Sequence, residues 1–302
     1  MNFDIKKRLI LFLNKLPYIR ELHRKANLMY FPPGHYYSPI ADIDQIKQRE
    51  QEIWHPISME NIKGVDFNIE EQIILTRVFE GYYADIPFPE NKTAGQRYYL
   101  DNAFYPYPDA IVLYFFIRHF KPRRIIEVGS GFSSAVMLDT KKKFDLNIDL
   151  TFIDIDTTRL FSLITEEEKA SVRIITQPVQ QVSLDLFEEL EENDILFIDS
   201  SHIAKIGSDL NFLLFEVIPK LRKGVLIHFH DIFFPFEYPK EWVYMGWSWN
   251  ENYILRAFLM CNNQFKIKYF FHLLHHLPEK LFDNMPLCNK KRGANLWIEK
   301  LN

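Results

Sequence analysis

The chain has 302 residues, 47% of them hydrophobic and 25% charged, with a formal net charge of -4. This is ordinary globular material, long enough for one large domain or two small ones, and without the basic surface that nucleic acid requires. Two cysteines, Cys261 and Cys288, imply no disulfide framework and point to a reducing cytoplasm. The aromatic fraction is high, with 27 Phe and 15 Tyr. Such side chains supply large buried areas and also line pockets for flat or sugar-like ligands.

The N-terminal MNFDIKKRLILFLNKLPYIR has an apolar run, Leu9 to Leu13, that is too short for a signal segment or a membrane span. With Lys6, Lys7, Arg8 and Lys15 beside the apolar positions it reads as an amphipathic helix. Packing on its own domain is the expectation, and resting on an anionic membrane surface is the alternative. Up to about residue 100, short helical patterns alternate with aromatic, proline-bearing loops such as FPPGHYYSPI (31–40) and ADIPFPENKTAG (84–95). Asp42 to Trp54 and Ile69 to Tyr83 read as helices. Residues 1–100 are therefore expected to form a helical, aromatic-looped cap. Asp109 reads as the N-terminal cap of a helix over AIVLYFFIRHF that Pro122 closes.

From there the rhythm changes. RIIEV (124–128), DLTFID (149–154), VRIIT (172–176), DILFID (194–199) and VLIHFHD (225–231) read as strands. Helical stretches from Ser133 to Lys143, over 209–221 and from Asn250 to Cys261 separate or follow them. Continuous β-branched runs alternating with helices indicate parallel βαβ units buried on both faces. FKIKYFF (265–271) and ANLWIEK (294–300) add two late strands, expected to include an antiparallel edge pair. The fold class expected is α/β: an open, doubly wound, mostly parallel seven-stranded sheet of Rossmann-like type, with an N-terminal helical cap. Ligands then bind beyond the carboxyl ends of the strands.

Glu127-Val-Gly129-Ser130-Gly131-Phe-Ser133-Ser134 follows the first strand and opens a helix. Glycines let the backbone turn and approach a ligand, and the helix N-terminus offers N–H groups to an anion. Asp154 ends the second strand, 25 residues beyond Gly129, where a ribose-binding carboxylate belongs. A dinucleotide fingerprint wants a third glycine where Ser134 stands, which disfavours a nicotinamide-dependent oxidoreductase. The E-x-G-x-G-x-S pattern resembles motif I of the class I S-adenosylmethionine-dependent methyltransferases. The resemblance implies that this loop, with Asp199 nearby, cradles the amino-acid end of S-adenosylmethionine and that Asp154 holds the ribose hydroxyls. It makes 101–302 the cofactor-binding domain. Glu127 reads either as part of that site or as a buried carboxylate tied to backbone donors.

The block from Phe197 to Trp242 resembles a bacterial branch of that superfamily, the methyltransferase-24-like group. The resemblance implies methyl transfer, most simply to an oxygen of a small molecule or sugar. A non-catalytic ligand-binding protein on the same fold is a further alternative. Metal-dependent catechol-type relatives carry D-x-x-K after the fourth strand, where this chain has Asp199 and His202. After the fifth strand they carry an Asp-Asn pair, where the count from Gly224 lands on His230 and Asp231. By this resemblance Asp199 and Asp231 are candidate ligands of a divalent ion, magnesium or manganese; an imidazole in that shell weakens the magnesium case or points to manganese, and a metal-free base is the other reading. His202 or His230 is the candidate base and Asp231 its orienting partner. For His202 a loop hydrogen bond is an equal reading. His228 is expected in the sheet interior, and His272, His275 and His276 on a solvated helix face. The loop from Phe233 to Trp242 reads equally as a lid or as rigid packing, and Lys240 with Glu241 as a solvated pair.

Overall fold

Aliphatic runs become seven strands: β1 (Arg124–Val128), β2 (Asp149–Ile153), β3 (Arg173–Ile175), β4 (Ile195–Ile198), β5 (Leu226–His230), β6 (Phe265–Phe270) and β7 (Asn295–Lys300). This computed structural model describes residues 12–13, 15–27 and 30–302, so most of the N-terminal amphipathic segment lies outside the described residues. The strands pair in the order β3-β2-β1-β4-β5-β7-β6. The first five are parallel, and β7 runs antiparallel to both β5 and β6. β4 and β5 are buried along their whole length, which is why they read as continuous apolar runs instead of alternating ones. Strand order reverses between β1 and β4, and a crevice opens beyond their carboxyl ends at that switch point.

The principal helices of this unit are α1 (Ile69–Glu80), α2 (Pro108–Phe120), α3 (Phe132–Lys143) and α4 (Glu251–Leu259). Two apolar clusters cover the two faces of the sheet. Ile125 of β1 belongs with α2 and α3, whereas its neighbour Ile126 belongs with Leu255 of α4, the period-two alternation of a strand. Helix α2 is buried without interruption from Pro108 to Ile117, so no amphipathic stripe is visible in it. Its Phe116 stacks on Trp297 of β7 at 3.7 Å between ring centroids. Phe79, Phe88, Tyr98 and Leu100 join the same cluster. Residues 56–239 and 249–302 thus make one compact unit.

The other unit comprises residues 1–55 and 240–248. Asp42 caps the helix Ile43–Gln48 by accepting from the N–H groups of Asp44 and Gln45. In FPPGHYYSPI the rings of Phe31, His35, Tyr36 and Tyr37 pack on one another. Lys240 does not form the expected solvated pair with Glu241; it bonds Glu50 at 2.8 Å, as does Tyr244 at 2.7 Å.

Several other expectations change. Asp109 is not an N-cap: the helix begins one residue earlier, because Pro108 suits a first-turn position that needs no N–H donor. The buried Asp109 carboxylate instead accepts from the N–H of Ala294 and from Asn295 Nδ2, tying α2 to β7. The helix expected over 209–221 is α-helical only from Asp209 to Phe212. It then widens into a π-helical turn and ends as a 3₁₀ turn around Pro219, which has no N–H to continue the ladder. Asp194, one residue before β4, accepts at Oδ1 from the N–H groups of Arg123 and Arg124 and so fixes β1 beside β4. Replacing Asp194 by Ala orphans those donors and is expected to cost about 1–3 kcal/mol of stability, read as a lower denaturant midpoint with an unchanged slope.

Candidate active site

Glu127, the penultimate residue of β1, is fully buried. The hydroxyls of Ser133 and Ser134 each donate to one of its carboxylate oxygens, and Ser134 Oγ accepts from the N–H of Gly131 at 2.9 Å. The turn is thereby folded back onto the carboxylate of its own strand. Burial pushes the Glu127 pKa up to about 8, against the pull of the two serines. Gly129 lies at φ +85, and a Cβ there would sit 1.9 Å from the backbone oxygen of Asp199. Gly131 is extended, and a Cβ would meet only the side chain of Arg159, at 2.8 Å.

Asp154 follows β2. Its Oδ2 accepts from the N–H of Ser130 at 2.7 Å, with Ser130 Oγ at 3.3 Å, and its Oδ1 accepts from the N–H of Asp156 at 3.0 Å. The N–H groups of Ser130 and Gly131 are therefore engaged within the chain and do not stand open to an anion. A cleft of about 470 Å³ runs past these carboxyl ends, lined by Gly129, Asp154, Ile155, Pro178, Asp199 and Ser201 among others. That size is typical of a small-molecule site.

Asp199 follows β4 directly and Asp231 follows β5, so the parallel pairing of these strands brings the two acids together. His202 stands between them. Its Nε2 is 3.4 Å from Asp199 Oδ1 and 3.8 Å from Asp231 Oδ2, and one donor atom from each of the three residues lies within 4.8 Å of the others. Its Nδ1 is 2.7 Å from Glu251 Oε2, on the first turn of α4. Burial opposes charging of His202, but the bonds to Asp199 and Glu251 outweigh it and hold its pKa well above the usual imidazole value. Burial raises Asp231 to about 6 although both histidines pull it down. Asp199 stays below its usual value: its burial is outweighed by His230 and His202.

The remaining histidines separate cleanly. His230 is buried, with Nε2 at 3.6 Å from Asp231 Oδ1 and its ring 5.0 Å from that of Tyr105. The imidazole that converges with both aspartates is that of His202, and His230 stands beside Asp231 alone. His228 is fully buried between Phe197 and Trp297, where burial pushes its pKa far down, as a core histidine should behave. His272, His275 and His276 do not form one solvated face: His272 is buried, His275 is half-buried, and His276 alone is exposed. His272 Nδ1 accepts from the N–H of Phe234, His275 Nε2 reaches the carbonyl of Cys288, and His276 Nδ1 reaches that of His272. The turn folds inward because Phe271, Leu273 and Leu274 around it belong to the core. The loop from Phe233 is packed: Phe233, Phe234, Phe236 and Tyr238 are buried, and the N–H of Phe233 donates to Asn252 Oδ1.

Two functional candidates had no sequence signal. Glu251 lies 49 positions from the histidine it touches, and Trp249, whose ring lies 4.2 Å from that of His202 at a 33° tilt, lies in the aromatic run before α4. A motif at fixed spacing cannot register contacts set by the folding of an irregular connection.

The strand order and the glycine turn after β1 define a Rossmann-like sheet of the class I methyltransferase kind. Residues 126–232 match a family model described as "Methyltransferase domain". Over 171 residues, 55% of this chain and 76% of the relative, the sequence is 37% identical to an uncharacterized protein of Archaeoglobus fulgidus. The chain belongs to this methyltransferase family. Among solved structures, it is similar to an SAH-bound methyltransferase of Podospora anserina (14% identity, TM-score 0.42, 86% of this chain and 95% of that one). It is also similar to the O-methyltransferase TomG of Streptomyces achromogenes, solved with SAM (11% identity, TM-score 0.40, 82% of this chain and 100% of that one). These likenesses are loose, and the fold rests on the strand order itself.

Two outcomes follow from the turn. Gly129→Ala is expected to cost about 1–3 kcal/mol by chemical denaturation, because it combines a positive φ with a backbone clash; Gly131→Ala, which displaces only a flexible arginine, costs less. Glu127 binds its proton more tightly folded than unfolded. Its contribution to stability therefore falls as pH rises from the unfolded carboxylate range to about 8. Denaturation midpoints of Glu127→Gln measured from pH 5 to pH 8 should show a shallower fall than those of the parent.

Proposed function

We propose that the protein transfers a methyl group from S-adenosylmethionine to a hydroxyl oxygen of a small molecule or sugar, with a divalent cation held by Asp199, His202 and Asp231. The observation that carries this reading is the double position of Asp199, which lines the cofactor-sized cleft and also belongs to the acid–imidazole cluster. A methyl group presented in the cleft would thus stand beside groups able to handle an acceptor's proton. A hydroxyl must lose its proton as it attacks, which is the reason to place charged acids and imidazoles there.

S-adenosylmethionine supplies an electrophilic methyl on a sulfonium. Gly129 leaves room for close approach, Asp154 stands where ribose hydroxyls can donate to it, and Glu127 holds the turn. The residues also fit a cation: two carboxylates and one imidazole converge, and the opposite ring nitrogen of His202 is taken by Glu251. This mixed set suits manganese better than magnesium, which prefers oxygen donors throughout. Such an ion supplies Lewis acidity that makes a hydroxyl easier to deprotonate. His230 is the imidazole left for proton uptake. Burial opposes charging of His230, yet Asp231, Asp199 and Asp109 keep its pKa raised, so this role requires the aspartates' charge to be offset.

The nicotinamide reading is disfavoured by Ser134, whose hydroxyl bridges Glu127 and Gly131 where a third glycine would offer nothing. Titration calorimetry tests the proposal. S-adenosylmethionine and S-adenosylhomocysteine should bind, Asp154→Ala should weaken both by roughly tenfold, about 1.4 kcal/mol, and NAD should give no heat. Binding of NAD alone would sink the assignment. Binding of the methyl donor without transfer to any hydroxyl in a broad acceptor panel would favour a ligand-binding protein.

A further inference from the structure

The three residues Trp249, Asn250 and Glu251 close on the loop that carries His202 through backbone, side-chain and ring contacts. The carbonyl of His202 accepts from the N–H groups of Asn250 and Glu251, at 3.1 and 3.2 Å, where α4 begins. Asn250 Oδ1 accepts from the N–H of Ala204 at 2.6 Å, and its Nδ2 donates to the carbonyl of Ala204 at 3.2 Å. Trp249 covers one face of the imidazole, with centroids 4.2 Å apart. Glu251 Oε2 takes Nδ1 at 2.7 Å, and the Glu251 side chain is 1% exposed. His202 itself lies at φ +60, a left-handed conformation that costs a residue with a side chain some energy and that these contacts help to hold.

We infer that Trp249-Asn250-Glu251 is a clasp that sets the His202 ring, with Glu251 as the positioning residue that fixes Nδ1 as the protonated nitrogen and aims Nε2 at Asp199 and Asp231. The catalytic meaning of this role rests on the methyltransferase site proposed above. A carboxylate behind a ligating histidine fixes its tautomer and ring orientation and makes the facing nitrogen a better donor. A buried carboxylate with no such task would be an expensive feature. The geometry also explains why the supporting residue is Glu and not a neutral hydrogen-bonder. The anion holds the proton on Nδ1, and it leaves Nε2 toward the acids as the nitrogen that gives up its proton when a positive centre lies between them.

The experiment has a metal-independent readout and a metal-dependent one, both on the full chain. In metal-free protein labelled with ¹⁵N-histidine, the parent should show a slowly exchanging, downfield ring N–H that His202→Gln removes. Glu251→Gln, whose amide oxygen still accepts, should keep that signal at a shifted position, and Glu251→Ala should lose it. Titrated with Mn²⁺ and followed by electron paramagnetic resonance, Glu251→Ala should bind about 10–100-fold more weakly than the parent, with Glu251→Gln in between. Unchanged binding of S-adenosylhomocysteine in both variants shows that the cofactor cleft has kept its shape. A ring signal that survives unchanged in Glu251→Ala overturns the positioning role. Failure of the parent to bind Mn²⁺ overturns the cation assignment instead, and the ring signal still decides for or against Glu251.

Discussion

Everything at this site depends on how closely the turn after β1 passes the end of β4. The N–H of Asp199 donates to the carbonyl of Val128, and the N–H of Gly129 donates to that of Ile153, both at 2.9 Å. The sheet ladder therefore continues one residue past the strands on both sides of β1. At that point the backbones are so near that no side chain fits at 129. The consequence reaches in two directions. The turn is pinned over its own strand, where Glu127 collects the serine hydroxyls. The Asp199 side chain is set at the edge of the cleft within reach of His202 and, through the β4–β5 pairing, of Asp231.

Charge is the second organising constraint. Asp199, Asp231 and Glu251 surround one imidazole, and Asp109 adds a fourth acid that His230 feels from the other side. Several of these groups are withdrawn from water, which costs several kcal/mol per unpaired ion. Two histidines held with raised pKa bring positive charge among these acids. On the proposed reading the gathering of acids is functional, since a sulfonium in the cleft and a divalent ion among the acids are both cations. It also divides the labour between two otherwise similar residues. His202 is tied at both nitrogens and is held as a fixed part of the cluster, whereas His230 touches one acid only.

Much of this architecture was legible in the sequence. The parallel strands announced themselves as apolar runs because both faces of β4 and β5 are covered, and the turn after β1 was readable because its glycine, serine and acid positions serve local geometry. His228 and His230 share a face by strand period and were separable by their depth along the strand. What could not be read came from contacts made at long range. Asp109 looked like a helix cap because its partners, Ala294 and Asn295, lie at the far end of the chain. The histidines at 272 and 275 looked solvated, as His276 is, because the spacing of the three is helical. Their environment is set by Phe234 and Cys288, which no local pattern links to them. Glu251 was missed for the same reason.

The two residues that face each other across the cluster, His202 and Asp231, both have left-handed backbones, at φ +60 and +56. Glycine would adopt that conformation freely, while a side chain there costs on the order of 1–2 kcal/mol. Glycine would make the turn at lower cost, as it does at 129. Both positions must turn the chain at the end of a strand and also present a functional group toward the same small volume, and only a non-glycine residue does both. The strain is tolerated because the surroundings over-determine it. The start of α4 grips the carbonyl of His202, and the N–H of Ile232 donates to the carbonyl of Ala294 just beyond Asp231. The irregular connections thus hold the geometry that the sheet alone cannot supply, and a substitution in them, far from any recognisable motif, acts on the same atoms as a substitution in the cluster.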